Sequence, residues 1–109
     1  ILRCLVGSEM CIRDRMTPGH TPGHMSFEIA NGSRSALIVG DAINDHHVAF
    51  KRPNWLNGLD QNPEEAAQTR QKLLNRISNE DMLIIGFHLP KGGIGRVAQS
   101  GTEYSFVNI

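Results

Sequence analysis

Hydrophobic and polar positions divide the chain into short strands around one long helix. Met25 to Ala30 alternates Met25, Phe27 and Ile29 with Ser26 and Glu28, the two-residue period of a strand. Asn31-Gly32 follows, a strong hairpin-turn signal. Ala36 to Val39 is an unbroken apolar run ended by Gly40 and Asp41, which predicts a strand buried on both faces. Ala42 to Gln61 has no sustained period and reads as a long loop with one short helix; loops of that length in compact domains are usually functional or disordered. Asn62 to Asn79 is the clearest helix. Asn62 can cap it, Pro63 suits its first turn, and Glu64 and Glu65 face the positive end of its dipole. Ala66, Ala67, Arg70, Leu73, Leu74 and Ile77 form one stripe at three- and four-residue spacing, with the Arg70 head group expected to reach water from its edge. Met82 to Ile85 predicts a second buried strand, Lys91 to Gly95 a flexible turn, and Arg96 to Ala98 with Tyr104 to Ile109 a hairpin turning at Ser100-Gly101. Strand, strand, helix, strand, strand, strand fits half of an α/β sandwich with mixed sheets.

Residues Ile1 to Arg15 break this pattern, with an apolar start, mixed charges and no cap or turn signal. Arg3 interrupts a stretch already too short for a signal peptide. The string resembles translated adapter or cloning sequence that recurs at the ends of unrelated proteins, so residues 1–15 are expected to be non-native and to lie outside the fold. A native strand from Cys4 to Gly7 is the other reading. Both cysteines fall in this segment, so residues 16–109 contain neither a disulfide framework nor a thiolate metal site.

Composition adds mainly exclusions. Hydrophobic residues make up 39% of the 109, which argues against disorder. Eleven basic residues balance eleven acidic ones, so no basic face points to nucleic acid. No run approaches the roughly 18 apolar residues needed to span a membrane.

Three metal-ligand side chains stand where a rigid backbone would present them. Asp41 follows ALIVG, His88 follows MLIIGF, and His20 lies in the duplicated TPGHTPGH just before a strand. Ends of buried strands deliver side chains to a shared cleft with firm backing, and imidazole with carboxylate suits zinc. Each residue also has a plainer reading. Asp41 could cap a turn, His88 could be a hydrogen-bonded core histidine, and His20 and His24 could be ordinary loop residues.

TPGHTPGH, a strand, an aspartate 21 residues after His20 in a VGDA context, and a histidine 47 residues further on after another strand resemble the second half of the metallo-β-lactamase superfamily. GFHLP followed by GIGRV is similar to a branch with methyl parathion hydrolase-like and lactonase-like enzymes. Lys91-Gly92 stands where that branch often has an aromatic residue and a proline. The resemblance implies a partial αββα sandwich over residues 16–109, the C-terminal half only. It implies two zincs per complete site, with His20 on the first, His88 on the second and Asp41 bridging both. His24 would support the loop or a ligand by hydrogen bonding. A metal-activated hydroxide would attack an ester, lactone, amide or phosphoester centre, and Asp41 would be central to that catalysis. His46, His47, Phe50 and Trp55, in the long loop, are candidate substrate contacts, with a solvated or packing role as the plainer alternative.

The family's His-x-His-x-Asp-His string does not occur in the sequence, so three of seven expected ligands are present and the chain is expected to be an inactive fragment by itself. A glyoxalase II-like thioesterase or a true β-lactamase would use the same ligands, and substrate trials would separate them. A metal-free scaffold or partner-binding module built on the fold would have no need of His20, Asp41 and His88.

Overall fold

The computed structural model describes residues 2–4 and 10–109. Seven strands form one sheet in chain order: β1 (Leu2–Cys4), β2 (Met10–Met16), β3 (Met25–Asn31), β4 (Arg34–Ile38), β5 (Leu83–Ile85), β6 (Ile94–Ser100) and β7 (Glu103–Asn108). All neighbours are antiparallel except β4 and β5, which run parallel with Leu37 opposite Ile84 and Ile38 opposite Ile85. A parallel pair requires a crossover. Here it comprises a 3₁₀ turn (Gly40–Ala42), α1 (His46–Lys51) and α2 (Pro63–Asn79). The Asn62 side chain caps α2 by accepting the Glu65 N–H at 3.2 Å, and the Asp45 carboxylate caps α1 by accepting the His47 N–H at 3.2 Å. From Met25 onward the elements and their order match the hydrophobic pattern, and the sheet is mixed as expected.

The core lies on one side of the sheet. Leu37, Val39, Ile84 and Val97 of the sheet form one buried cluster with Leu73, Leu74 and Ile77 of α2 and with Ala49 and Phe50 of α1. The opposite face carries Phe27, Ile38, Ile85 and Ile94 in one cross-strand row. Among the described residues nothing buries that row: Phe27 is 41% and Ile94 40% exposed. Burial of Ala36 to Val39 on both faces is therefore corrected to one face, since Leu37 and Val39 are buried while Ala36 and Ile38 are only partly covered.

Arg70 is a second correction. It does not snorkel: its side chain is 5% exposed, and the guanidinium points inward. Nε donates to the Pro53 carbonyl at 3.0 Å and Nη2 to the Trp55 carbonyl at 2.6 Å. The irregular backbone after α1 offers carbonyls with no helical partner, and a guanidinium with five donors satisfies two of them.

Residues 2–4 and 10–15 differ from the expectation that this segment lies outside the fold, because β1 and β2 join the sheet. Strand β2 pairs with β3 over seven residues, from Met10 opposite Asn31 to Met16 opposite Met25. The ladder is main chain to main chain, so an open strand edge accepts a segment with little regard to its sequence. Two side chains add to it: Arg15 meets Glu28 at 3.0 Å, and Ile12 extends the open apolar face. Cys11 is disulfide-bonded and stands opposite Cys4 in the ladder. The alternative strand over Cys4 to Gly7 lies largely outside the described residues. No described helix is long and apolar enough to cross a membrane.

Glu28 ties β3 to α2 through Arg76 at 2.8 Å. The hydrogen bond from Arg76, helped by Arg15 and opposed by burial, holds the Glu28 carboxyl below its ordinary value of 4.5. A depressed folded value contributes stability above the unfolded value, and that contribution fades as pH falls through the folded one. Glu28→Gln should therefore lower the urea midpoint at neutral pH, with the gap from wild type closing below about pH 4; a gap that stays constant into acid would contradict this. Leu74 is fully buried, so Leu74→Ala should cost about 2–5 kcal/mol. Lys72→Ala, on the exposed side of α2, should change stability by less than about 0.5 kcal/mol in the same titration.

Candidate functional site

The TPGHTPGH segment is a closed loop between β2 and β3. The Thr17 N–H donates to the His24 carbonyl at 3.0 Å and closes it, while the His24 N–H turns back to the Thr21 carbonyl at 3.2 Å. The entry to α2 clamps its outer side. Gln61 N–H donates to the His20 carbonyl at 3.0 Å, Asn62 N–H to the Gly19 carbonyl at 2.9 Å, and the Thr69 hydroxyl to the Pro18 carbonyl at 2.6 Å. Gly19 sits at φ +133°, and any Cβ there would overlap the Ala66 backbone. Only glycine meets both conditions.

The parallel pairing of β4 and β5 brings their C-terminal ends side by side. Asp41 lies in the turn after β4, and His88 in the turn between β5 and β6. That second turn is closed by Gly86 N–H donating to the Gly93 carbonyl at 2.9 Å. The three ligand-type residues read from the sequence meet here. His88 Nε2 lies 3.0 Å from Asp41 Oδ1, and His20 Nε2 lies 3.5 Å from Asp41 Oδ2. The two imidazoles thus address different oxygens of one carboxylate. The Asp41 and His88 side chains are about half exposed and His20 about a quarter, so the group opens to solvent.

His24 does not point at that carboxylate. Its Nε2 accepts the Asp41 backbone N–H at 3.0 Å. An amide can only donate, so the ring proton sits on Nδ1. Nδ1 then donates to Thr17 Oγ1 at 2.8 Å, Thr17 to Ser26 Oγ at 2.9 Å, and Ser26 to the Val39 carbonyl at 3.4 Å. Thr17 and Ser26 are almost fully buried. With both ring nitrogens engaged, His24 holds the Asp41 backbone in place and has no free lone pair.

His20 is held from behind. Its Nδ1 lies 3.0 Å from Asp60 Oδ1, and the Asp60 side chain is 2% exposed, with Arg70 Nη1 3.9 Å from Oδ2. Burial pushes the Arg70 guanidinium down and Asp60 pushes it up. Thr17, Ser26, Asp60 and Arg70 were not singled out for the site from sequence. Asp60 stands 40 positions from the histidine it touches, and only the LDQNP entry to a capped helix marks its place.

The expected pocket residues divide. Phe50 is corrected to a core position, 3% exposed and stacked on Phe106 with ring centroids 6.2 Å apart. It falls on the inner face of α1, which an aperiodic loop reading did not resolve. His46 and His47 begin α1, and their rings pack against each other at 4.0 Å. Trp55 is half exposed beside a cleft of about 270 Å³ lined also by Asn44, Val48 and Asn57.

The donor set bears on whether a metal fits. Among the described residues no three His, Cys, Asp or Glu side chains close around one point. Yet each oxygen of Asp41 has one imidazole beside it. Two cation positions would each find one nitrogen and one oxygen, half of a tetrahedral zinc shell. The residues present fit that chemistry and would supply part of the coordination.

The family model described as the metallo-beta-lactamase superfamily matches residues 5–88. The chain belongs to that superfamily. Its fold is part of the superfamily's sandwich. The hydrolase AbOPH of the beta lactamase superfamily is 32% identical, with a TM-score of 0.85 over 90% of this chain and 34% of its own. AidC, a dizinc quorum-quenching lactonase, is 23% identical with a TM-score of 0.85 over 98% of this chain and 35% of its own. An N-acyl homoserine lactone hydrolase with product bound at its catalytic metal centre has a TM-score of 0.55 at 23% identity, over 94% of this chain and 38% of its own. At that identity the last two show the fold alone. The chain thus spans about a third of the length of these solved relatives. No curated protein matches it by sequence.

His24→Ala should leave the Asp41 N–H and the Thr17 hydroxyl without their partner, at a cost of about 1–3 kcal/mol. Amide hydrogen exchange reads this locally. Exchange at Asp41 should accelerate more than at Ile84 in the core, and equal acceleration at both would point to global loosening instead.

Proposed function

We propose that this chain carries part of a two-zinc hydrolytic site, with His20 on one zinc, His88 on the other and Asp41 bridging them. The observation that supports this reading is the arrangement of two imidazoles on the two oxygens of one solvent-facing carboxylate. Zinc bound there would supply a water acidified toward neutral pH and a charge for the developing oxyanion. The protein's own residues do the positioning. The turn after β4 holds Asp41, the closed turn between β5 and β6 holds His88, and the clamped loop holds His20.

The substrate proposed is a small molecule with an ester, lactone, amide or phosphoester centre. The lactonase relatives favour lactones and esters for the first trials. Thioesters and β-lactams extend the same trials to the glyoxalase II-like and β-lactamase branches. Trp55, half exposed beside its cleft, is retained as a pocket candidate, and His46 and His47 as weaker ones.

The 109 residues contain no His-x-His-x-Asp-His string, and half-filled shells bind weakly. The purified chain should therefore take up cobalt(II), a coloured stand-in for zinc, with low affinity and turn over none of these substrates. Asp41→Ala should reduce uptake the most, because it removes an oxygen from both positions. Equal uptake by wild type and the Asp41→Ala variant would defeat the metal reading and favour a metal-free scaffold. Chelator-sensitive hydrolysis by the chain alone would show that the residues present suffice.

A further inference from the structure

Asp60 is the most deeply buried carboxylate among the described residues, with a side chain 2% exposed. Its two oxygens have different surroundings. Oδ1 lies 3.0 Å from His20 Nδ1 and accepts the Asn44 side-chain amide at 3.5 Å. Oδ2 is buried without a hydrogen-bond partner, and the nearest compensating charge is Arg70 Nη1 at 3.9 Å. A buried carboxylate survives only when paired. Arg70 is itself fixed by the carbonyls of Pro53 and Trp55, so it stays in place as that partner. Asn57 steadies Asn44 with a 2.7 Å hydrogen bond, and backbone bonds from Gln61 and Asn62 lock the segment onto the His20 loop.

We propose that Asp60, backed by Arg70, is the positioning residue that fixes His20 with its proton on Nδ1 and the Nε2 lone pair turned toward Asp41. An ionised carboxylate can only accept. Of the two carboxylates beside His20, only buried Asp60 is hydrogen-bonded to the ring, at 3.0 Å from Nδ1. Half-exposed Asp41 stands 3.5 Å from Nε2 and is open to water, so Nδ1 is the nitrogen that donates. An imidazole that donates through one nitrogen to a carboxylate is oriented and made more basic at the other, which is what a metal ligand requires. The inference deepens the metal reading given above and rests on it only for its consequence, since the tautomer exists with or without metal.

Asp60→Asn separates the two. Its amide keeps the shape of the carboxylate but has one donor side and one acceptor side. Arg70 favours the amide oxygen on its own side, which turns the NH₂ toward His20. His20 Nδ1 must then accept, and the ring proton moves to Nε2, where it blocks a metal. Nitrogen-15 NMR of the histidine rings in the metal-free chain at alkaline pH, where imidazoles are neutral, reads this directly. The expected result is an Nδ1–H tautomer for His20 in wild type and Nε2–H in Asp60→Asn, with His24 keeping its Nδ1–H form in both as a check on the fold. Cobalt(II) affinity should fall about 10–100-fold in the variant.

An Nε2–H tautomer for His20 in the wild-type chain would overturn the proposal without any variant, even if Asp60→Asn fails to fold. An unchanged tautomer in a folded Asp60→Asn would overturn it as well. Absence of cobalt uptake by wild type counts against the metal reading alone, because the tautomer still decides on Asp60.

Discussion

The parallel pairing of β4 with β5 is the constraint from which the rest follows. Two parallel strands cannot be joined by a tight turn, so the chain must leave the end of β4, cross the sheet and return. That detour contains α2, whose apolar stripe becomes the cover of the core. It also contains the segment before α2, which reaches the TPGHTPGH loop and binds its carbonyls. Parallel strands end on the same side of the sheet, so Asp41 and His88 become neighbours although 47 residues separate them. A hairpin at the same place would have sent the two residues to opposite ends.

Much of this was legible because it is periodic or punctuated. The stripe from Ala66 to Ile77 and the Asn62-Pro63 entry specify α2 within a residue of its observed ends. Alternation at Met25 to Ala30 and the Asn-Gly turn specify the β3–β4 hairpin. What was illegible depends on contacts that span the chain. ALIV reads the same whether one or both sides of its strand are covered, so the uncovered row from Phe27 to Ile94 had no signal. Arg70 looks like the edge of an amphipathic helix until the irregular backbone at Pro53 and Trp55 supplies the acceptors that draw it inward. The site divides in the same way: His20, Asp41 and His88 stood out through motif and spacing, whereas Asp60 is marked only by its place at the entry to α2.

The uncovered sheet face and the solvent-open carboxylate belong to one geometry. Apolar rows of this kind are rare on isolated soluble domains and mark surfaces that other structure covers. Asp41 and His88 lie at the end of the same strands that carry Ile38 and Ile85. Whatever covers the row would also approach Asp41 and His88.

The relay through His24 has a direction that no rearrangement can reverse. It starts at the Asp41 amide, passes through an imidazole and two hydroxyls, and ends at the Val39 carbonyl two residues earlier in the chain. The hydroxyls of Thr17 and Ser26 could individually turn either way. The two ends cannot, because an amide hydrogen never accepts and a carbonyl oxygen never donates. Turning one hydroxyl would set donor against donor on one side and acceptor against acceptor on the other. The backbone therefore imposes a single proton arrangement on four side-chain and main-chain links, and the loop behind the candidate ligands has one electrostatic polarity rather than an average of two.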